Sequence, residues 1–240
     1  MTETRGRRSG GRAARQAARL SAVVESVPFL TRTLAPFDVL SDEGLSTLEE
    51  NADTILEQVG IDFRDAPDAI ALLGEAGAHV DGERVRFPRG MCRQLVQATA
   101  PREFTQLARN PEHSVVFGGA HTIFAPAYGS PFVRDLDEGR RYGTIEDFRN
   151  FVRLANASPW LHHSGGTVCE PVDLPVNKRH LDMVYSHIRY SDRAFMGSVT
   201  HPSRAADSVE MARLVFGAEV VEREHVIMGL ANANSPMSWD

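Results

Sequence analysis

The run Trp160-Leu161-His162-His163-Ser164-Gly165-Gly166-Thr167-Val168 decides the fold. It is short, apolar at its edges and broken by a glycine pair, which fits a buried strand better than a helix. A helical pattern over 175–190 follows, with Leu181, Val184, Tyr185 and Ile188 on one face. Residues 194–199 read as the next buried strand, 202–216 as a helix closed by Gly217, and 225–231 as a further strand. These strands start near Leu161, Ala194 and His225, about 31 to 33 residues apart. That spacing fits successive βα units, and hence a parallel sheet with helices outside it.

Upstream, 113–117 and 121–126 are strand-like runs joined by Gly118-Gly119. Thr144 with Asp147 has the form of a capping box for a helix bearing Ile145, Phe148, Val152 and Ala155, and Ser158-Pro159 ends that helix. A different character rules before residue 110. The 41–59 stretch predicts a helix with Leu45, Leu48, Ala52, Ile55, Leu56 and Val59 on one face. Asp65 is expected to cap a second helix, with Pro67 in its first turn and Gly77 beyond its end. Residues 78–87 alternate around Asp81-Gly82, a hairpin signal, and Pro88 opens a third helix that stops before Pro101. Three parts result: an Arg-rich tail over 1–22, a helical region with one hairpin over 23–110, and four βα units over 111–240.

Length narrows the architecture. A (βα)8 TIM-type barrel takes about 250 residues, and 111–240 supply four strands, so the expected α/β fold is an incomplete barrel. An open four-stranded α/β domain would carry a phosphate loop after its first strand. No GxGxxG follows Phe124, and no GxxxxGK[ST] occurs in the 240 residues.

Composition excludes other classes. Apolar residues make up 42 % and charged residues 24 %, as in ordinary globular chains. No run approaches the ~18 apolar residues of a membrane span. Two cysteines, Cys92 and Cys169, cannot frame a disulfide scaffold, which favours a reducing, cytoplasmic setting. The net charge is −6, although the first 20 residues hold six arginines against the single acid Glu3. An acidic body argues against nucleic acid as the main ligand. Arg7-Arg8 lacks the apolar stretch that an export signal needs after it. The basic head reads either as a solvated tail or as an arm for an acidic partner.

Several stretches carry a family resemblance. They are Asn110-Pro111-Glu112-His113 through Val116-Phe117-Gly118-Gly119, Pro131-Phe132-Val133 with Asp135-Leu136, and Glu170-Pro171-Val172-Asp173-Leu174-Pro175. Arg179-His180-Leu181-Asp182-Met183, Phe195-Met196-Gly197-Ser198-Val199-Thr200, Asp207-Ser208-Val209-Glu210-Met211-Ala212, Val215-Phe216-Gly217 and Asn234-Ser235-Pro236 continue it. Over roughly 28–240 the chain resembles the N-terminal half of the trimethylamine methyltransferase family, corrinoid-dependent enzymes that demethylate methylamines and betaines. The resemblance implies a (βα)8 barrel about twice this length. It implies methyl transfer from a tertiary or quaternary amine to the Co(I) of a cobalamin-type corrinoid. A separate partner protein carries that corrinoid, so no cofactor is bound directly. In trimethylamine-specific members a pyrrolysine lies in the second half of the barrel. Relatives without it act on quaternary amines such as glycine betaine.

Barrel active sites lie at the C-terminal strand ends. The four ends here offer Ala127-Tyr128-Gly129, then Thr167, Cys169 and Glu170, then Ser198, Thr200 and His201, and last Asn232, Asn234 and Ser235. A methylated cation is held by aromatic faces and by a carboxylate in a low-dielectric pocket. Tyr128 and Glu170 are therefore the candidate catalytic residues, and Gly129, Thr200, Asn232 and Asn234 the candidate substrate-binding ones. Each has a structural alternative. Tyr128 with Gly129 can simply close a loop, and Glu170 can pair with Arg179. Asn232 and Asn234 can cap a turn, and Thr200 with His201-Pro202 can cap a helix. Cys169 reads as a buried apolar residue. His162-His163 invites a metal with Cys169, Glu170 and His201, but neighbours on a strand face opposite ways, so no metal is expected. Competing readings are a non-catalytic docking fragment and a metal-dependent barrel hydrolase. A half barrel with open sheet edges is expected to associate into homo-oligomers, and to be inactive alone.

Overall fold

A computed structural model describes residue 27, residues 29–230 and residues 237–239. Its strands are β1 (Leu30–Thr31), β2 (Ile61–Phe63), β3 (His79–Asp81), β4 (Arg84–Arg86), β5 (Glu103–Gln106), β6 (Val115–Gly118), β7 (His121–Thr122), β8 (Phe132–Asp135), β9 (Gly139–Tyr142) and β10 (Ser238–Trp239). Its helices are α1 (Asp42–Gln58), α2 (Pro67–Glu75), α3 (Met91–Thr99), α4 (Ile145–Ala157), α5 (Arg179–Tyr190), α6 (Pro202–Phe216) and α7 (Ala218–Arg223). The fold is mixed α/β, and no helix among the described residues is long and apolar enough to cross a membrane.

Ser41 starts α1 by accepting the Gly44 N–H on its hydroxyl, and Asp42 and Glu43 complement the helix dipole in the first turn. In α2 Pro67 occupies the first turn as expected, but Asp65 is not its cap. Ala66 holds the cap position, while Asp65 adopts φ 50 and turns its N–H toward Glu83 Oε1. Aspartate tolerates this left-handed conformation better than most residues, so it makes the bend between β2 and α2. The expected hairpin forms with Asp81 opposite Arg84. It is not alone: β2 adds antiparallel to β4, and β10 adds parallel to β2, giving the order β10-β2-β4-β3. Val85 of β4 forms a buried cluster with Phe87 and Met91, and partly buried Leu56, Ile61 and Ile70 pack against it. The third helix begins after Gly90, not at Pro88.

The Gly118-Gly119 pair does not fold its two flanking runs onto each other. β6 pairs with β5, and β7 pairs with β1 through Leu30 opposite Thr122. Gly118 has φ 99, and a Cβ there would lie 2.1 Å from the Arg102 carbonyl oxygen, so only glycine fits against β5. The β8–β9 hairpin has no counterpart in the sequence reading. Asp135 builds its turn by accepting the N–H groups of Asp137 (3.0 Å) and Glu138 (2.6 Å). The capping box of α4 is present as read. Asp147 also accepts two hydrogen bonds from Arg141, which hold its carboxyl well below the usual carboxylate range. Phe148, Val152 and Ala155 are buried along α4. Phe148 and Val152 join Val133, Val168, Cys169 and Met183 in the main apolar core.

The runs read as strands over 160–168, 194–199 and 225–231 form no continuous β-strand, and that over 121–126 keeps only β7; single parallel bridges and backbone hydrogen bonds take the place of the expected parallel sheet. Four non-helical segments, near residues 124, 162–164, 194–197 and 225–229, still lie side by side in chain order. The His162 N–H donates to Phe124 O (2.8 Å), and Ser164 N–H to Ala194 O (2.8 Å). Gly197 N–H donates to Met228 O (2.9 Å), and Met196 and Met228 form a parallel bridge. β5 closes on the last segment through a parallel bridge between Gln106 and His225. α6 spans the expected residues and ends at Gly217. α5 differs from expectation. It starts at Arg179 after a turn at 175–178, and its buried side runs through His180, Met183, Val184, Ser186 and His187, leaving Tyr185 half exposed. Partners meet the buried polar groups there: Asp207 meets His180 at Nε2, and Ser164 and Gly166 meet both ring nitrogens of His187.

Candidate functional site

The first two segment ends are stitched together by backbone. Gly129 N–H donates to Thr167 O (2.7 Å), and Glu170 N–H donates to Ser130 O (2.9 Å). The third end joins the second further down, where Met196 N–H donates to Gly165 O (2.9 Å). Tyr128, Gly129, Thr167 and Glu170 thus lie on adjoining tips. Tyr128 leaves 49 % of its surface open, so its ring is available to a ligand. Glu170 is half exposed and forms an ion pair with Arg179, whose Nη2 also donates to Leu174 O (3.3 Å). Arg179 is largely covered. The carboxylate is therefore compensated in place rather than free, and the tip offers both signs of charge.

Thr200 is engaged by α6: its hydroxyl accepts from Arg204 Nη1 at 2.8 Å. The cap of α6 is His201, whose Nδ1 accepts the Ser203 N–H at 3.2 Å, so the helix-capping alternative falls on His201 and not on Thr200. Ser198 N–H donates to Ser208 Oγ (3.0 Å), which ties the third tip to the same helix. Asn232, Asn234 and Ser235 lie outside the described residues.

The histidine pair divides as strand geometry requires. His162 Nδ1 accepts the Phe124 N–H (2.9 Å), and its ring stacks on Phe124. His163 Nδ1 accepts the Gly165 N–H (2.9 Å), while its Nε2 faces Gln106 Oε1 (3.2 Å). Burial pushes the pKa of His163 down to about 3 and that of His187 to about 4, so both rings are neutral at pH 7. Burial also lowers that of His162, with the Arg193 charge adding to it. Cys169 is buried and its thiol is pushed up to about 12, mainly by burial, which makes it a packing residue and not a nucleophile. Among the described residues no group of three His, Cys, Asp or Glu side chains could hold a metal ion.

Two cavities adjoin the tips. One, of about 10 Å³, sits between the second and third ends against His187 and Met183, and is the size of one water. The other is an apolar cleft of about 280 Å³ lined by Pro126, Ala127, Phe151, Leu154, Leu161 and Val168. Sequence reasoning passed over Gln106 and His187. His180, Met183, Val184 and His187 follow the i, i+3, i+4, i+7 pattern of a buried stripe, and reading histidine as buriable would have found it. Chemically, an open aromatic ring, an ion pair and hydroxyls, together with His163 and His187 rings whose two nitrogens both have partners, suit binding a small charged molecule rather than moving protons.

Two comparisons bear on this arrangement. Residues 8–240 match the model of the trimethylamine methyltransferase (MTTB) family. A glycine betaine methyltransferase from Desulfitobacterium hafniense (strain Y51) is 42 % identical over 208 residues, covering 86 % of this chain and 43 % of the relative. The chain therefore spans less than half the length of that relative. With the family match running through the core, the stitched tips and α6, the chain belongs to the trimethylamine methyltransferase family.

Proposed function

We propose that this chain is the N-terminal half of a (βα)8 barrel that binds a quaternary methylamine, glycine betaine foremost, and presents one of its N-methyl groups for transfer. The identity of 42 % to a glycine betaine methyltransferase carries this reading. Four non-helical segments in chain order, with helices between them, are consistent with a half barrel. The methyl acceptor is the Co(I) corrinoid of a partner protein, which acts as a second substrate and supplies the nucleophile. A large, flat acceptor needs an open rim. Half-exposed Tyr128 and Glu170 and exposed Thr200 fit that need.

The reaction is an in-line displacement. The methyl carbon leaves nitrogen as cobalt attacks, both electrons of the C–N bond stay on nitrogen, and the amine departs neutral. No proton moves, so the neutral buried imidazoles are no obstacle. The work of the protein is to hold and aim the cation. Tyr128 supplies an aromatic face for the ammonium, worth about 0.5–2 kcal/mol. Glu170 adds negative charge tempered by Arg179, and the pair as a whole matches a zwitterion. Gly129 and Thr200 line the substrate, and Asn232 and Asn234 are assigned to its carboxylate. Full-length protein incubated with glycine betaine and reduced corrinoid protein is expected to bleach the Co(I) absorbance. Persistence of that absorbance with every methylated amine tried would reject the reading.

A further inference from the structure

Hydrogen bonds converge on the Gly165-Gly166 turn. Gly165 N–H donates to His163 Nδ1 (2.9 Å), Met196 N–H donates to Gly165 O (2.9 Å), and His187 Nε2 meets Gly166 O (2.8 Å). Ser164 Oγ lies 2.7 Å from His187 Nδ1. A carbonyl only accepts, so the His187 proton is on Nε2, and Nδ1 accepts from the Ser164 hydroxyl. His163 obeys the same rule. Its Nδ1 takes a backbone N–H, so its proton is on Nε2 and goes to Gln106 Oε1. Gln106 then gives its amide to Phe195 O (2.8 Å) and Val226 O (3.4 Å). Each buried polar atom in this chain of contacts has a partner, as burial demands.

The turn needs holding. Gly165 has φ 89, and a Cβ there would lie 3.1 Å from Val168 and 3.3 Å from Pro126. The turn leads directly into Thr167, which accepts Gly129 N–H from the first tip, and into Glu170. It also accepts Met196 N–H from the third. Gln106 and Phe117 face His163, and Phe148, Phe195 and Ser164 face His187. Of these neighbours none titrates; the ionisable group acting on His163 is His187 itself.

We propose that His163 and His187 are positioning residues that clamp the Gly165-Gly166 turn from opposite sides, one backed by β5 and the other carried by α5, and so set the first three tips against one another. A neutral imidazole suits the task because it offers one donor and one acceptor without burying a charge. The consequence for turnover rests on the methyltransferase reading; the clamp itself does not.

The test uses full-length protein labelled with ¹⁵N in its histidine rings. Both rings are expected as Nε2–H tautomers that do not titrate between about pH 8 and pH 5. An Nδ1–H tautomer at either ring, or a midpoint near the ordinary value of about 6.5, overturns the proposal. Turnover supplies a second readout. His187→Gln keeps a donor for Gly166 O and is expected to hold kcat/KM within about ten-fold of wild type. His187→Leu is expected to lose about 100-fold, chiefly in kcat. Equal activity of the Leu variant and wild type, or of the Gln and Leu variants, rejects the clamp. If the Leu variant does not fold, the wild-type tautomers still decide. Wild-type protein with the expected tautomers and no turnover removes the methyltransferase reading alone.

Discussion

Tyr128 and Glu170 were both found on adjoining tips, yet they differ in what each can still do. Tyr128 is open, and Glu170 is answered by Arg179. A carboxylate followed by proline at a strand end is readable as a tip residue, but its counterion is nine residues away on another element, and only folding brings the two together. We expect Tyr128→Ala to weaken glycine betaine binding by about 2- to 30-fold, the range of one cation–π contact, with Tyr128→Phe close to wild type. Calorimetric titration of full-length protein reads both, and an Ala variant that binds as well as wild type removes Tyr128 from the site. The buried imidazoles make a second prediction. Their folded pKa values lie below the unfolded value of about 6.5. The native state then binds fewer protons than the unfolded one, so stability is full above about pH 6.5 and falls as pH drops toward 4. The limiting slope is about 1.4 kcal/mol per pH unit for each ring. Urea unfolding at a series of pH values measures it, and a flat profile between pH 6.5 and 4 contradicts the assignment. Below that window Asp147, paired with Arg141, adds a loss of the same sign.

Elements with local signals were legible. The Thr144/Asp147 box starts α4, Pro202 and Gly217 bound α6, and the turn between β3 and β4 falls at Gly82-Glu83, one residue past the Asp81-Gly82 pair that signalled it. Each of those signals depends on residues within a turn of one another. What was missed depends on distant pairing. β1 meets β7 about ninety residues away, and β10 meets β2 from the far end of the chain. Strands of two or three residues carry no alternation to read. The buried face of α5 was misread because histidine and serine are buried only where a neighbour completes their hydrogen bonds. That neighbour, Ser164, lies 23 residues upstream of His187. The capping box yields an element-scale prediction. Thr144→Ala removes the acceptor for the Asp147 N–H and is expected to cost about 1 kcal/mol of unfolding free energy. Thermal or urea melts report it, and an unchanged midpoint would show that the Arg141 contacts alone hold the helix start.

At the scale of the whole molecule, the distribution of apolar surface stands out. Leu34, Phe37 and Val39 are each at least 80 % exposed, and Leu45, Leu48, Ile55 and Val59 of the 41–59 stretch leave about half their surface open. The sequence periodicity put those last residues on one face, and no α1 residue is buried. Patches of this kind mark contact surfaces in soluble proteins. Residues 1–240 in isolation are therefore expected to sediment as dimers or larger species, and a single monomer boundary through a dilution series would contradict this. The incomplete barrel was an expectation of spacing and length, and the chain-order segments remain consistent with it. The central claim concerns methyl transfer, and isotope tracing tests it most directly. Full-length protein given N-¹³CH₃-glycine betaine and reduced corrinoid protein is predicted to yield dimethylglycine and ¹³C-methylated corrinoid in equal amounts. Label that stays on betaine, or leaves it as methanol or formaldehyde with the corrinoid unlabelled, would contradict the account.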